Sequence, residues 1–112
     1  MIVVAITILL SGLLSMGLAQ PLMRRKIEMN EVYGVRIPAA FESEARWFEL
    51  NEYGGRLLFY WGIFVALLGV AGLFFDNSQI VVYGIATTVL ILGSLGGIMS
   101  AVYRYAARTR AG

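Results

Sequence analysis

Three long apolar stretches, at residues 1–23, 57–75 and 80–103, constrain the fold of this chain more than any other feature. About 20 residues of α-helix, at 1.5 Å each, cover the roughly 30 Å of a bilayer core, so each stretch can cross a membrane. Charged residues make up only 14% of the chain, against about 25% in an average soluble domain. The sequence therefore predicts an all-α integral membrane protein with three transmembrane helices, forming a single domain over residues 1–112.

The first apolar stretch has an alternative interpretation as a cleaved signal peptide, because Gly17-Leu18-Ala19 resembles a small-x-small cleavage site. No basic residue precedes it, however, and it is longer than the about 7–15 residues of a typical signal-peptide hydrophobic region. We therefore expect it to remain as a membrane span. Pro21 should lie in the final turn of its helix, where a proline disrupts least.

The polar turn Asp76-Asn77-Ser78-Gln79 is so short that it forces the second and third spans into an antiparallel hairpin. All nine Lys and Arg residues lie elsewhere, in a polar segment at 24–56 and in the C-terminal tail. They are Arg24, Arg25, Lys26, Arg36, Arg46 and Arg56 in the segment, and Arg104, Arg108 and Arg110 in the tail. Three spans put both regions on one side of the membrane, which the positive-inside rule makes cytoplasmic. We predict an N-out, C-in protein of the plasma (inner) membrane.

The polar segment 24–56 is too long for a slack connection, so it should carry structure of its own. Ser43 is a good helix N-cap, and Glu44 favours the first turn through the helix dipole. Two pairs of opposite charge at i,i+4 spacing support a helix, Glu42 with Arg46 and Glu52 with Arg56. We predict an amphipathic helix from about Glu44 to Tyr53 at the inner membrane surface, followed by a turn or kink at Gly54-Gly55. Before it, residues 33–38 should be extended because Pro38 disfavours helix at Ile37.

Eight residues of this segment form a spaced motif: Asn30, Tyr33, Gly34, Arg36, Pro38, Trp47, Asn51 and Gly55. The motif, followed by an apolar span, resembles the C-terminal domain of the SdpI family, which is named for a membrane immunity protein against a secreted peptide toxin. The chain departs from that pattern at Ala39-Ala40, where members often carry a Trp-Thr pair. The resemblance implies a three-span layout with the motif between the first two spans. It also implies a peptide toxin or a cytoplasmic regulator as partner.

The motif residues have structural as well as recognition roles open to them. Tyr33, Gly34, Arg36 and Pro38 can form a turn, with Arg36 pairing a glutamate or holding helix-end carbonyls, or they can form a recognition element. We expect Trp47 to anchor the chain at the membrane interface rather than to bind a ligand. Asn51 can cap or cross-link helices.

A ridge of small residues, Gly93, Gly97 and Ala101, runs along the third span. Such ridges let helix backbones approach closely inside a membrane. Packing within the chain and packing between copies in a homo-oligomer explain this ridge equally well.

Enzymatic chemistry has little support in the sequence. The chain has no Cys and no His, and no charged residue lies inside a predicted span. We therefore expect no catalytic, cofactor-binding or metal site, and no nucleic-acid partner. Three functions remain: a binding protein of the SdpI type, an accessory subunit of a larger membrane complex, and an oligomeric small-molecule transporter.

Overall fold

The computed structural model describes residues 1–110, and its described part is helical without any strand. The elements are α1 (Ile2–Met23), a 3₁₀ turn (Pro38–Phe41), α2 (Glu44–Gly72), a second 3₁₀ turn (Asn77–Gln79) and α3 (Ile80–Arg108). The three α-helices are each long and apolar enough to cross a membrane, as the sequence predicts. Pro21 lies in the last turn of α1, also as expected.

The two ends of the bundle differ in composition. At one end, the amino group of Met1 donates a hydrogen bond to Asn77 Oδ1 at 2.6 Å, so the N-terminus meets the turn between α2 and α3. We call this the turn end. At the other, the loop end, residues 24–43 pack against the start of α2 and the last turns of α3. The polar segment and the C-terminal arginines therefore share one end of a molecule 53 Å long.

Small residues seven positions apart bring α1 and α2 into backbone contact. They are Ala5, Gly12 and Ala19 on α1, and Gly55, Gly62 and Gly69 on α2, all buried. A Cβ built on Gly62 would lie 2.7 Å from Gly12 O, closer than real Cβ contacts. A repeat of seven keeps one seam facing the partner helix along its length. Without side chains between them, the two helices gain close packing where lipid offers no hydrophobic driving force.

The hairpin of α2 and α3 packs at separated points instead. Trp61 Nε1 donates to Ser94 Oγ at 2.8 Å near mid-span. Towards the turn end, the Tyr83 hydroxyl donates to Leu68 O at 2.7 Å. Here Tyr83 lies directly against Gly72, where an added Cβ would lie 2.6 Å from its ring. A large side chain thus spaces α3 from α2, in contrast to the α1–α2 seam.

The predicted start of the second helix is confirmed, but its predicted end is wrong. Ser43 caps α2 by accepting a hydrogen bond from Arg46 N at 3.1 Å. The helix does not stop at Tyr53 to lie on the membrane surface; it continues through Gly54 and Gly55 to Gly72. Both glycines admit neighbours instead of bending the chain, since a Cβ on Gly55 would lie 2.9 Å from Leu22 Cβ. At 29 residues, α2 is about 43 Å long, so its first turns extend beyond a bilayer core.

The small-residue ridge on α3 does not pack within residues 1–110, which was one of its two interpretations. A Cβ built on Gly93 or Gly97 would meet nothing within 4 Å, so this ridge does not pack within the described chain. Ala101, one turn further, is only partly buried. Both glycines are exposed, so this face of α3 is open to the surroundings. Packing between copies stays a prediction.

Candidate functional site

Asn51 connects the motif to α2. Its side chain is 1% exposed, and its Oδ1 accepts a hydrogen bond from Val35 N at 2.6 Å. Its Nδ2 donates to Trp47 O at 2.9 Å and to Val35 O at 3.4 Å. One amide therefore satisfies a loop peptide that the fold buries. Asn51 links α2 to the loop, where the sequence suggested a cap or a link between helices.

Gly34 is required by this contact. Its φ of +123° lies in a region that residues with a Cβ rarely adopt. A Cβ there would also lie 2.6 Å from Asn51 Oδ1 and 3.2 Å from the Trp47 ring. Gly34 thus lets the loop backbone approach α2 closely enough for Val35 to reach Asn51.

Asn30 and Tyr33 shape the loop just before this point. Asn30 Oδ1 accepts from Val32 N at 2.9 Å and from Tyr33 N at 2.6 Å, while its Nδ2 donates to Tyr33 O at 3.1 Å. The Tyr33 hydroxyl donates to Leu18 O on α1. Burial raises the pKa of the Tyr33 hydroxyl, which favours the protonated form that makes this bond. The loop is therefore tied to α1 as well as to α2.

Trp47 is not an interfacial anchor, contrary to our expectation. Its side chain is fully buried, and its Nε1 donates to Ile27 O at 2.8 Å. It lies in a cluster at the loop end that also contains Ile37, Ala40, Leu50, Val102 and Ala106. The physical reason is that the loop folds over this face of α2 and leaves no Trp47 surface for lipid to contact. Trp47 is a core residue joining the loop, α2 and α3.

Pro38 and Arg36 lie at the surface of the loop. Ile37 has the extended conformation predicted before a proline, with φ −78° and ψ 155°, and Pro38 begins the 3₁₀ turn. Arg36 is exposed, and its Nη1 donates to Glu31 O at 2.8 Å. Within residues 1–110 it forms no ion pair. Arg36 therefore binds a backbone carbonyl of the loop, and neither a glutamate carboxylate nor the carbonyls of a helix end.

Arg46 has a larger role than its predicted pairing with Glu42, which is present at 4.0 Å. Its Nη1 donates to Glu49 at 2.7 Å and to Thr109 Oγ1 at 2.8 Å, and its Nη2 donates to Ala106 O at 3.0 Å. One guanidinium thus binds the last turn of α3 to α2. No local sequence pattern indicates this contact, because its partners lie about 60 positions away.

The second predicted pair is also present, with Glu52 and Arg56 at 3.4 Å. Arg25 approaches the same carboxylate at 2.6 Å. The two arginine side chains are 54% exposed and that of Glu52 is 30% exposed, and such surface pairs contribute little, about 0–1 kcal/mol each. These surface ion pairs therefore add little stability to the loop-end core, which the buried motif residues hold together.

An apolar groove of about 420 Å³ opens between α2 and α3 at the turn end. Its lining consists of Leu68, Ala71, Phe75, Gln79, Val82, Tyr83, Ala86, Thr87 and Leu90. Small residues at 71 and 86 leave space that Tyr83 holds open by spacing the helices. We call it the α2–α3 groove.

The two hydroxyl groups beside the groove are already paired within the chain. The Tyr83 hydroxyl donates to Leu68 O, and Thr87 Oγ1 donates to Tyr83 O at 2.7 Å. Sequence reasoning did not find the groove. A partial signal existed, since small residues lie on both sides of the 76–79 turn, Ala71 five positions before Asp76 and Ala86 seven positions after Gln79.

No cluster of three metal-ligating side chains occurs within residues 1–110. A sequence model of the SdpI/YfhL protein family matches residues 26–103, which include the whole motif, α2 and most of α3. No curated protein and no solved structure matches the chain.

Proposed function

Because the chain belongs to the SdpI/YfhL protein family, we propose that this multi-pass membrane protein acts as an immunity-type protein that recognises a membrane-inserting peptide. The α2–α3 groove is the observation that carries this proposal. It is an apolar concavity of about 420 Å³, whereas the opposite side of α2 packs closely against α1. Ligand sites in proteins are usually concave and mostly apolar.

The chemistry of the groove selects its occupant. The hydroxyls of Tyr83 and Thr87 are paired internally, so the groove offers an incoming segment mainly apolar packing surface. A peptide inside a bilayer must satisfy its own backbone, which an α-helix does. The occupant is therefore an apolar helix whose side chains fill the space beside Ala71 and Ala86. An acyl chain of a lipid is the competing occupant, and the experiment below distinguishes it.

The distribution of charge supports an orientation that suits this role. The loop end carries every Lys and Arg of the chain, and Asp76 is the one charged side chain of the turn end. By the positive-inside rule, the turn end faces outwards, giving an N-out, C-in plasma-membrane protein. The groove then opens towards the outer leaflet, where a secreted peptide first inserts.

The motif residues have a supporting role in this proposal. Trp47 and Asn51 are enclosed by the loop-end core and offer a partner no surface, while Gly34 lies half-buried against them. They fix the loop end of the helices, so that the spacing at the turn end is set by a rigid base. We propose no enzymatic activity for this chain.

A growth assay tests the proposal. Cells lacking the gene are grown in conditioned medium from the parent strain, with and without the gene returned. Ala86→Trp fills the groove, while Val81→Trp adds the same bulk on the opposite face of α3, where Val81 is 67% exposed. We expect the native chain and Val81→Trp to restore growth, and Ala86→Trp not to restore it at equal membrane level.

Two results would contradict the proposal. Unimpaired growth of the deletion strain in its own conditioned medium would remove the immunity role. Full protection by Ala86→Trp would show that the groove holds only lipid and that recognition occurs elsewhere.

A further inference from the structure

Two arginines of α3 stand apart from the ionic contacts of the loop end. Arg104 and Arg108 lie one helical turn apart and are exposed. Among residues 1–110, neither has a carboxylate within ion-pair distance or a hydrogen-bond partner for its side chain; the ion pairs use Arg25, Arg46, Arg56 and Arg110. Like charges at i,i+4 spacing repel by a few tenths of a kcal/mol. An anion bound between the two guanidinium groups would relieve this repulsion, and no carboxylate of the described chain takes that place.

The usual structural role of such arginines is taken by other residues. Basic side chains near a helix C-terminus often donate to its last carbonyls. In this helix, Arg46 of α2 donates to Ala106 O, and Thr109 Oγ1 donates to Tyr105 O at 2.8 Å. Arg104 and Arg108 thus remain available for another acceptor.

The two arginines border a pocket of about 240 Å³, together with Tyr53 and Ala101. Tyr53 is held in place by stacking on Tyr105, with ring centroids 3.9 Å apart and planes within 5°. The Arg108 guanidinium lies 6.0 Å from the centre of the Tyr105 ring, at cation–π distance. No hydrogen bond of the Tyr53 hydroxyl occurs in the described chain. Three donors, two of them charged, therefore surround one small pocket whose space depends on the short side chain of Ala101.

The chemistry and the depth of the pocket identify its ligand. Planar guanidinium groups bind phosphate oxygens with paired hydrogen bonds, which a single ammonium does not reproduce. Tyrosines concentrate where lipid headgroups meet the hydrocarbon, and Tyr53 and the Tyr105 stacked on it lie beside this pocket. We propose that this pocket binds the phosphate of an anionic phospholipid headgroup. The site is at the opposite end from the α2–α3 groove and does not depend on the groove's function.

Native mass spectrometry of the full chain, released from nanodiscs, measures this binding directly. The probe is phosphatidylglycerol mixed into phosphatidylcholine. Each arginine at a membrane surface contributes about 1 kcal/mol, so Arg104→Gln with Arg108→Gln should weaken retention of phosphatidylglycerol on the order of 30-fold. The matched control is Arg24→Gln with Lys26→Gln, which removes the same charge from exposed residues of the same end. It should change retention only a few-fold.

A second variant separates lipid binding from folding and from charge. Ala101→Leu fills the pocket and leaves every charge in place, so it should also lose phosphatidylglycerol while keeping its melting temperature in phosphatidylcholine alone. Equal losses in the two double variants would show diffuse attraction and overturn the proposal. Full retention by Ala101→Leu would do the same. Stabilisation by inorganic phosphate in place of the lipid would assign the site to a free anion.

Discussion

Replacing Gly12 by alanine tests the α1–α2 seam at its tightest point. The added Cβ would lie 2.5 Å from Gly62 O and 2.8 Å from Ala66 Cα, and ordinary contact begins only at 3.4 Å. Both neighbours are backbone atoms, so no side chain can rotate away and the helices must move apart. Overpacking of this kind costs about 1–3 kcal/mol. The better helix propensity of alanine offsets up to about 1 kcal/mol of that.

Gly17→Ala is the matched control, since it makes the same change on the same helix. A Cβ at Gly17 meets nothing within 4 Å, so it should leave stability unchanged or raise it by up to about 1 kcal/mol. The assay is reversible unfolding of both variants in mixed detergent micelles, followed by circular dichroism. The reasoning predicts that Gly12→Ala is the less stable of the two by about 1–3 kcal/mol. Equal stability of the variants would refute close backbone contact between α1 and α2.

Three further predictions concern the polar segment and the orientation. Asn51→Leu should lower the unfolding free energy by about 1–3 kcal/mol, because it leaves a buried loop N–H without an acceptor; thermal unfolding measures this. A cysteine at Ser78 should react with an impermeant reagent outside intact cells and one at Ser43 should not, whereas the reverse pattern would reverse the orientation. Arg36→Lys should change stability by less than about 0.5 kcal/mol, since the side chain is exposed and makes one hydrogen bond. Loss of protection in the growth assay by that variant, at unchanged melting temperature, would move recognition from the groove to the loop.

Much of this fold was predictable because lipid imposes strong rules on composition. The three spans follow from apolar length alone, and the short polar turn makes the second and third spans antiparallel. The start of α2 was also predictable, since an N-cap depends on the few residues around Ser43. These features are local, and a sequence reports them directly.

The errors concern residues whose environment is set by distant parts of the chain. Gly54 and Gly55 have local properties that favour a bend, but Val35 and Leu22 pack against them and the helix continues through both. Trp47 is a residue type typical of the membrane interface, but the loop covers it and buries it completely. In both cases the deciding contacts come from the loop or from α1, which local patterns do not reveal.

The α1–α2 seam lies between these cases. Its heptad spacing of small residues, from Ala5 to Ala19 and from Gly55 to Gly69, is visible in the sequence. The ridge at Gly93 and Gly97 is just as visible, yet it meets nothing in the described chain. A small-residue pattern therefore indicates a surface fit for close packing and does not identify which helix packs there.

Photocrosslinking from within the groove tests the central claim most directly. A diazirine amino acid is placed at Ala86 or, as control, at Val81, and cells are irradiated in conditioned medium from the parent strain. The account predicts a crosslink at position 86 to one secreted apolar peptide, identified by mass spectrometry, and none at position 81. Crosslinks from position 86 to lipid alone, or equal peptide yields at both positions, would contradict it.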